Sequence, residues 1–272
     1  MAILVLNLGL NNIRSVVFSI IGEKLSYATR RLETSLNGEM LTQNPTEWWN
    51  KASEVISESI SCLRGVSIEY ISITSSSSCL VYVDENCYPL DKCIMVSDKR
   101  AKDEANTMKN APSFRLVREE TNTQSDESLM LPKILWVKNN QPELFAQSHK
   151  FLSPNDYFVA RMTGRYVTDY FNAQKYHYLI NRKSYPIGLL DELSININLL
   201  PEVVSPGSLA GELIDSVASE LGIPKQNKPV KVIISSYDAI CSFFGSGCIN
   251  DGDACDVSGT VTAFRVLSKQ KK

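Results

Sequence analysis

The chain has 272 residues, 43% of them hydrophobic and 21% charged, a balance that predicts a globular protein with a sizeable core. Its formal net charge is -2, so it offers no global basic field to a phosphate backbone, and no run interleaves basic with aromatic residues. Nucleic acid is therefore not expected as a partner.

The apolar stretch of residues 2–21 is not expected to be a signal peptide or a membrane span, because Asn7, Asn11 and Arg14 interrupt it. We therefore expect a cytoplasmic protein with no membrane partner. The 7 cysteines form no C-x-x-C pair, which favours reduced thiols. Since His149 and His177 both lie far from any cysteine cluster, no metal site is expected.

The chain opens with a predicted antiparallel meander of three strands, at residues 3–9, 15–20 and 24–32. Asn44 and Glu47 are a helix-start signal, and apolar residues then recur at helical spacing as far as Gly65. A strand is predicted at residues 70–74. Residues 79–83 and 88–94 are then predicted to pair as a hairpin.

Helices are predicted in the middle of the chain and short helices after it. The four middle helices cover residues 98–109, 131–138, 142–148 and 154–163, and the two short ones cover residues 189–193 and 214–221. Residues 119–128 are polar and predict a loop. The apolar run of residues 230–235 is typical of a buried parallel strand. This order of elements predicts an α/β fold with a mixed sheet flanked by helices.

The first candidate site is the polar turn between the first two predicted strands, which contains Asn7, Gly9, Asn11, Asn12 and Arg14. A glycine lets backbone amides approach an anion closely, and side-chain amides donate further hydrogen bonds. The turn is therefore a candidate phosphate site. A plain β-turn explains the same residues, and both interpretations stay open.

A second candidate follows the predicted strand of residues 230–235, where Tyr237 and Asp238 precede a helix. Ligands favour the carboxyl ends of strands in open α/β sheets. Asp238 is open to two interpretations, a helix cap or a general base beside a bound hydroxyl. A third and weaker candidate is a strand-turn-strand pattern whose Gly259 and Thr260 can present amide and hydroxyl donors to phosphate.

Two further segments are candidates for binding a polyol. Ser76, Ser77 and Ser78 follow a predicted strand and place several hydroxyl groups at its end, although serine runs are also typical of plain loops. Asp98 and Arg100 either pair as a structural feature of a helix start or grip sugar hydroxyls through charge-assisted hydrogen bonds. The structural interpretation is preferred for both segments.

Taken together, the order of these segments resembles the FGGY carbohydrate kinases, especially the xylulokinase-like branch, over essentially the whole chain. The resemblance is collective rather than dependent on one motif. The segments that carry it are residues 5–9, 44–49, 97–101, 131–136, 142–145, 156–157, 161–164, 168–170, 235–239 and 252–255.

The resemblance implies a ribonuclease-H-like, actin-like fold in which residues 1–252 form a sugar-binding domain. Residues 253–272 would begin a C-terminal ATP-binding domain that is otherwise absent from the chain. The implied reaction transfers the γ-phosphoryl group of ATP, with Mg2+, to a hydroxyl of a sugar or polyol such as a xylulose-like pentulose. The expected partners are this substrate, ATP and the C-terminal kinase domain, and a homodimer is among the expected assemblies.

The resemblance also implies roles for the candidate residues. Asp238 falls on the catalytic aspartate of the family, and the Gly9 turn falls on its first phosphate-binding hairpin. Gly259 and Thr260 fall on the second such hairpin. The segments implied to contact the sugar contain Ser76, Ser77, Ser78, Asp98, Arg100 and Tyr237.

The chain also departs from the family pattern, and this leaves other functions open. Asn7 and Leu10 stand where the family usually has an aspartate and a hydroxyl residue. The serine run replaces glutamine, methionine and histidine, and Val96 replaces a tryptophan. One alternative is a degenerate homologue that binds a sugar without chemistry. Another is an interaction protein that binds neither sugar nor nucleotide.

Overall fold

A six-stranded mixed sheet runs through the computed structural model of the protein, which describes residues 1–63, 65–258 and 262–270. The strands are β1 (Ala2–Leu8), β2 (Asn12–Ser19), β3 (Lys24–Arg31), β4 (Ser35–Asn37), β5 (Met40–Gln43), β6 (Ile68–Ser75), β7 (Val81–Val83), β8 (Cys93–Ile94), β9 (Lys150–Leu152), β10 (Val167–Asp169), β11 (Glu202–Val204), β12 (Leu209–Glu212), β13 (Lys231–Ile233), β14 (Ala254–Ser258) and β15 (Thr262–Val266).

Helices lie between several of these strands. The α-helices are α1 (Pro45–Ser61), α2 (Lys102–Asn110), α3 (Phe114–Thr121), α4 (Met130–Asn140), α5 (Pro142–Gln147), α6 (Pro154–Thr163), α7 (Tyr170–Ala173), α8 (Ile187–Glu192), α9 (Asp215–Glu220) and α10 (Asp238–Gly245). Short 3-10 helices cover Gln174–Tyr176, Ile180–Arg182 and Ile197–Leu199. No helix within the described ranges is long and apolar enough to cross a bilayer.

The main sheet has the strand order β12-β13-β6-β1-β2-β3. Strands β1, β2 and β3 pair antiparallel, which confirms the predicted meander. Strand β6 then pairs with β1 in parallel, and β13 pairs with β6 in parallel, which confirms the predicted parallel strand. The carboxyl ends of β1, β6 and β13 therefore lie along one edge of the sheet.

Helices α1 and α6 pack against this sheet on different strands and meet where Trp49 stacks on Phe158 at 5.6 Å between ring centroids. The Asn44 side chain caps α1 by accepting from the Thr46 amide at 3.0 Å. Helix α6 has the predicted bounds and ends at Gly164, whose φ of 73° suits glycine. A second apolar core lies around α4 and includes Tyr176 and Tyr185.

The predicted hairpin of residues 79–83 and 88–94 is confirmed, with irregular antiparallel pairing between its two arms. Antiparallel bridges join Leu80 to Ile94 and Val83 to Pro89, and the Leu90 amide donates to the Tyr82 carbonyl at 3.0 Å. The sequence did not predict the further pairings of β7 with β9 and of β8 with β5. Helix α3 was not predicted, and it occupies the start of the stretch expected to be a loop. The short strands β4, β5 and β9 to β12 were also missed, because three or four residues carry too little alternation to signal a strand.

We predict that Gly222→Ala destabilises the protein more than Gly22→Ala. Both glycines have positive φ, 69° and 86°, so alanine is strained at either position. A Cβ at Gly222 would also lie 2.8 Å from Ser57 Oγ, whereas nothing lies within 4 Å of one at Gly22. Urea unfolding should show an additional loss of about 1–3 kcal/mol for Gly222→Ala. Equal losses would contradict this packing.

Candidate functional site

Three of the predicted candidate segments meet at the carboxyl edge of the main sheet. The Ser76 amide donates to the Leu8 carbonyl at 3.0 Å, which joins the serine run to the end of β1. The Thr74 hydroxyl donates to the Ser236 carbonyl at 2.8 Å, which joins β6 to the turn before α10. The first turn, the serine run and the segment that contains Asp238 are therefore neighbours in space.

The first turn is closed by a hydrogen bond from the Gly9 amide to the Asn12 carbonyl at 2.9 Å. The Gln43 side chain donates to the Leu10 carbonyl at 2.7 Å, which fixes the tip of the first turn. Asn7 lies opposite Arg14 in the register of β1 and β2. The side chains of Asn11 and Arg14 are exposed, so both are free to reach a ligand.

The donors of this turn are amide and guanidinium groups, which fit phosphate oxygens. They do not fit a magnesium ion, which prefers oxygen ligands and usually one or two carboxylates. Among the described residues, no group of three or more His, Cys, Asp or Glu side chains could hold a metal ion.

The serine run is mostly buried. Ser76 and Ser78 are buried and Ser77 is partly exposed, with 3.2 Å between the hydroxyl oxygens of Ser77 and Ser78. Ser78 has a φ of 60°, a left-handed conformation that is uncommon for residues other than glycine. Since Ser77 is the most accessible of the three, its hydroxyl is the best placed to meet a ligand.

Asp98 and Arg100 form a buried pair. The guanidinium donates to both carboxylate oxygens at 2.9 Å, and the Leu41 amide also donates to Asp98, at 2.6 Å. Arg100 lies over the Trp136 ring at 4.8 Å. These bonds favour the structural interpretation of the pair, and a contact with substrate stays a prediction.

Asp238 is the first residue of α10, not the residue that precedes the helix, and its carboxylate accepts from the Ala239 amide at 2.7 Å. It is partly exposed, whereas Ser236 two residues earlier is buried. Burial raises the pKa of Asp238, while the Ala239 amide and the positive charge of Arg265 act in the opposite direction. A carboxylate with a raised pKa that still reaches solvent can accept a proton from a bound hydroxyl.

Two basic side chains near Tyr237, of which Arg265 is also near Asp238, were not predicted. The Lys175 ammonium lies 5.1 Å from the centre of the Tyr237 ring. Burial raises the pKa of both Tyr237 and Asp238, and the positive charge of Arg265, on β15, acts in the opposite direction on both. Neither residue belongs to a local motif, so only the fold could bring them close to Tyr237.

Gly259 and Thr260 lie outside the described residues. The strands on either side of them, β14 and β15, pair antiparallel, so the predicted strand-turn-strand pattern is confirmed up to Ser258 and from Thr262.

A buried polar network connects the serine run to the turn before Asp238. Ser75 donates to the Asn155 side chain at 3.0 Å, and Asn172 donates to Asn155 at 3.4 Å and to Asp169 at 2.6 Å. The Ser236 hydroxyl completes the path by donating to Asp169 at 2.9 Å. Asp169 thus holds the segment that leads into α10, a role that its sequence context did not indicate.

The model of the FGGY family of carbohydrate kinases, N-terminal domain, matches residues 2–245. The chain belongs to the FGGY family of carbohydrate kinases. It is 29% identical to the xylulose kinase of Bacillus subtilis over 233 residues, which cover 85% of this chain and 46% of that protein. The chain thus spans about half the length of the curated relatives it matches.

Solved structures establish the fold of this FGGY family member. The ligand-bound xylulose kinase from Lactobacillus acidophilus has a TM-score of 0.90 at 23% identity, covering 100% of this chain and 55% of that one. The Plasmodium falciparum glycerol kinase with ADP has a TM-score of 0.87 at 18% identity, covering 97% of this chain and 53% of that one. The predicted ribonuclease-H-like, actin-like α/β fold is confirmed.

We predict that titration of Asp156, at the start of α6, lowers the free energy of unfolding as the pH rises. Burial raises its pKa to about 8, against about 4 for an unfolded chain. Below about pH 4 both states hold the proton, and between about pH 4 and about pH 8 only the folded state does, so folding is progressively disfavoured over this range.

Asp156→Asn removes this titration without changing the shape of the side chain. Urea unfolding from pH 5 to pH 8 should show the variant gaining stability relative to the wild type by up to about 1.4 kcal/mol per pH unit. Exposed Asp103→Asn is the control and should follow the wild type. Parallel profiles for Asp156→Asn and the wild type would contradict the buried, protonated carboxyl.

Proposed function

We propose that the chain supplies the sugar-binding domain and the catalytic base of an ATP-dependent carbohydrate kinase. The observation that carries the proposal is the position of Asp238, which shares one sheet edge with the serine run and the Gly9 turn. The substrate is a sugar or polyol, with a xylulose-like pentulose as the first candidate. The name of the Bacillus subtilis relative supports that candidate.

Asp238 would accept the proton of the attacking hydroxyl, and the hydroxyl oxygen would form a bond to the γ-phosphorus of ATP. The bond from that phosphorus to the β–γ bridging oxygen would break, and ADP would leave. Phosphoryl transfer depends mainly on how the protein positions the reactants and stabilises their charge. A weak base in the right place therefore suffices. The hydrogen bonds that Ser236 makes with Thr74 and Asp169 fix the segment that carries Asp238. The serine hydroxyls and Tyr237 would orient the substrate, with the Asp98 and Arg100 pair supporting the pocket wall.

ATP supplies the phosphoryl group, and two segments of the chain would hold its phosphates. The residues proposed for this are Asn7, Gly9, Asn11, Asn12, Arg14, Gly259 and Thr260. Mg2+ would enter as the counter-ion of ATP, since the first turn has no carboxylate to bind it.

We also propose the predicted division of the chain, with residues 1–252 as the sugar-binding domain and residues 253–272 as the start of an ATP-binding domain. The family match to residues 2–245 supports the first part. The length of the relatives, about twice that of this chain, supports a C-terminal kinase domain as the partner. A homodimer stays a prediction.

A second candidate function is sugar binding without chemistry. Asn7 and Leu10 favour it, because they replace the carboxylate and the hydroxyl of the family pattern, and Leu10 places an exposed apolar side chain at the tip of the first turn. Calorimetric titration with pentuloses, pentoses, hexoses, glycerol and polyols, and then with ATP and Mg2+, tests both functions. Sugar binding without any turnover in a protein that includes the ATP-binding domain would favour the second.

We predict that Asp238→Asn strongly lowers turnover while leaving sugar binding intact. In a protein that includes the ATP-binding domain, kcat should fall by about 10²–10⁴-fold because the general base is lost. Calorimetry should give a dissociation constant for the sugar within about threefold of the wild type, because an amide keeps the shape of the side chain. The matched control is Asp191→Asn, on the exposed side of α8, which should change neither quantity. Unchanged turnover in Asp238→Asn would remove Asp238 from the mechanism.

A further inference from the structure

Lys133, on α4, is a lysine with no exposed surface. Its ammonium group donates to the main-chain carbonyls of Ser78 at 2.6 Å, Met95 at 2.9 Å and Ser128 at 3.0 Å. These three bonds match the three N–H groups of a lysine ammonium. The charge is thus balanced by backbone dipoles rather than by a direct ion pair.

The three carbonyls belong to segments that are distant in sequence. Ser78 ends the serine run, Met95 follows β8 and leads to the Asp98 and Arg100 pair, and Ser128 lies in the loop before α4. Lysine is costly to bury, and desolvation lowers the pKa of Lys133 to about 8. A neutral apolar side chain would avoid that cost but would remove a donor from all three carbonyls, of which the Met95 carbonyl would keep the Asp98 amide.

Among the three residues whose carbonyls accept from Lys133, Ser78 is the one with an unfavourable backbone conformation. Its φ of 60° is unfavourable for a residue with a Cβ, and its carbonyl accepts from Lys133. Removing the ammonium would let Ser78 return to an ordinary conformation. That change would turn the hydroxyl groups of Ser77 and Ser78 away from their present directions.

We propose that Lys133 is a positioning residue for sugar recognition, which holds the serine run in its left-handed turn by binding the Ser78 carbonyl. The proposal rests on the proposed function in that it takes the serine run as the sugar-contacting segment. Lys133 itself does not touch the substrate in this account. It sets where the hydroxyl groups of the serine run are presented.

Cys79 offers a local reporter that does not depend on sugar binding. It follows Ser78 directly, is fully buried, and lies 3.5 Å from the Ser76 hydroxyl through its sulfur. The hydrogen bond with Cys93, helped by the charge of Lys133, lowers the pKa of Cys79 to about 7 despite its burial. Loss of Lys133 alone would therefore make the thiol less reactive, so faster labelling must report that the serine run has opened.

The experiment compares Lys133→Met with Lys138→Met, a lysine on the same helix whose ammonium donates to the Leu193 carbonyl at 2.6 Å. Iodoacetamide labelling resolved by mass spectrometry should give at least a tenfold faster reaction at Cys79 in Lys133→Met. The rate at Cys87, a second buried cysteine, should stay within twofold. Lys138→Met should match the wild type at both cysteines.

Calorimetry with D-xylulose supplies the second measurement. The dissociation constant should rise at least tenfold in Lys133→Met and stay unchanged in Lys138→Met. Equal acceleration at Cys79 and Cys87 would show that Lys133 only stabilises the whole fold, and would overturn the proposal. Selective labelling of Cys79 with unchanged sugar affinity would overturn it as well.

Two further outcomes are distinguishable. If the wild type binds none of the sugars tested, the proposed function fails. Selective labelling of Cys79 in Lys133→Met would then still support the claim that Lys133 fixes the conformation of the serine run. If Lys133→Met is recovered unfolded, Lys133→Gln replaces it in the experiment, because glutamine keeps an amide donor. A smaller acceleration of labelling at Cys79 is then expected. No selective acceleration in Lys133→Gln would then overturn the proposal.

Discussion

Parallel pairing of β1, β6 and β13 is the constraint on which the candidate site depends. Because the three strands run in the same direction, the segments that follow them all emerge at one edge of the sheet. Two hydrogen bonds beyond the strands, from Ser76 to Leu8 and from Thr74 to Ser236, keep those segments together. Backbone geometry thus places Asp238, the serine run and the first turn side by side at this edge.

Burial shifts the pKa values of ionisable groups at and behind this edge. Desolvation raises the pKa of Asp238, Asp156 and Asp169, and it lowers the pKa of Lys133 and Lys175. The polar groups behind the edge are therefore held by hydrogen bonds to one another and to the backbone. A network of this kind fixes the directions of the few groups that still face solvent.

The sequence predicted the elements whose signals are local. The meander of β1 to β3, the start of α1 at Asn44 and the bounds of α6 all follow from periodicity, caps and turns. Asp238 was singled out as a candidate because it follows an apolar strand. Lys133 and Asp169 were not found as site residues, since their partners lie 55 and 67 residues away and only the folded chain brings them together. The same reason explains why the pairing of β7 with β9 was not predicted, because β9 lies much later in the chain.

Hydrogen exchange measured by mass spectrometry, with and without a saturating pentulose, tests most directly whether this edge is one sugar site. The account predicts slower exchange on sugar binding in residues 75–79 and 235–238 together, and an unchanged rate in residues 225–229, which precede β13 at the opposite edge. Slower exchange in residues 225–229 would contradict a single site at the carboxyl ends of β6 and β13. Slower exchange in only one of the two segments, residues 75–79 or residues 235–238, would contradict it as well.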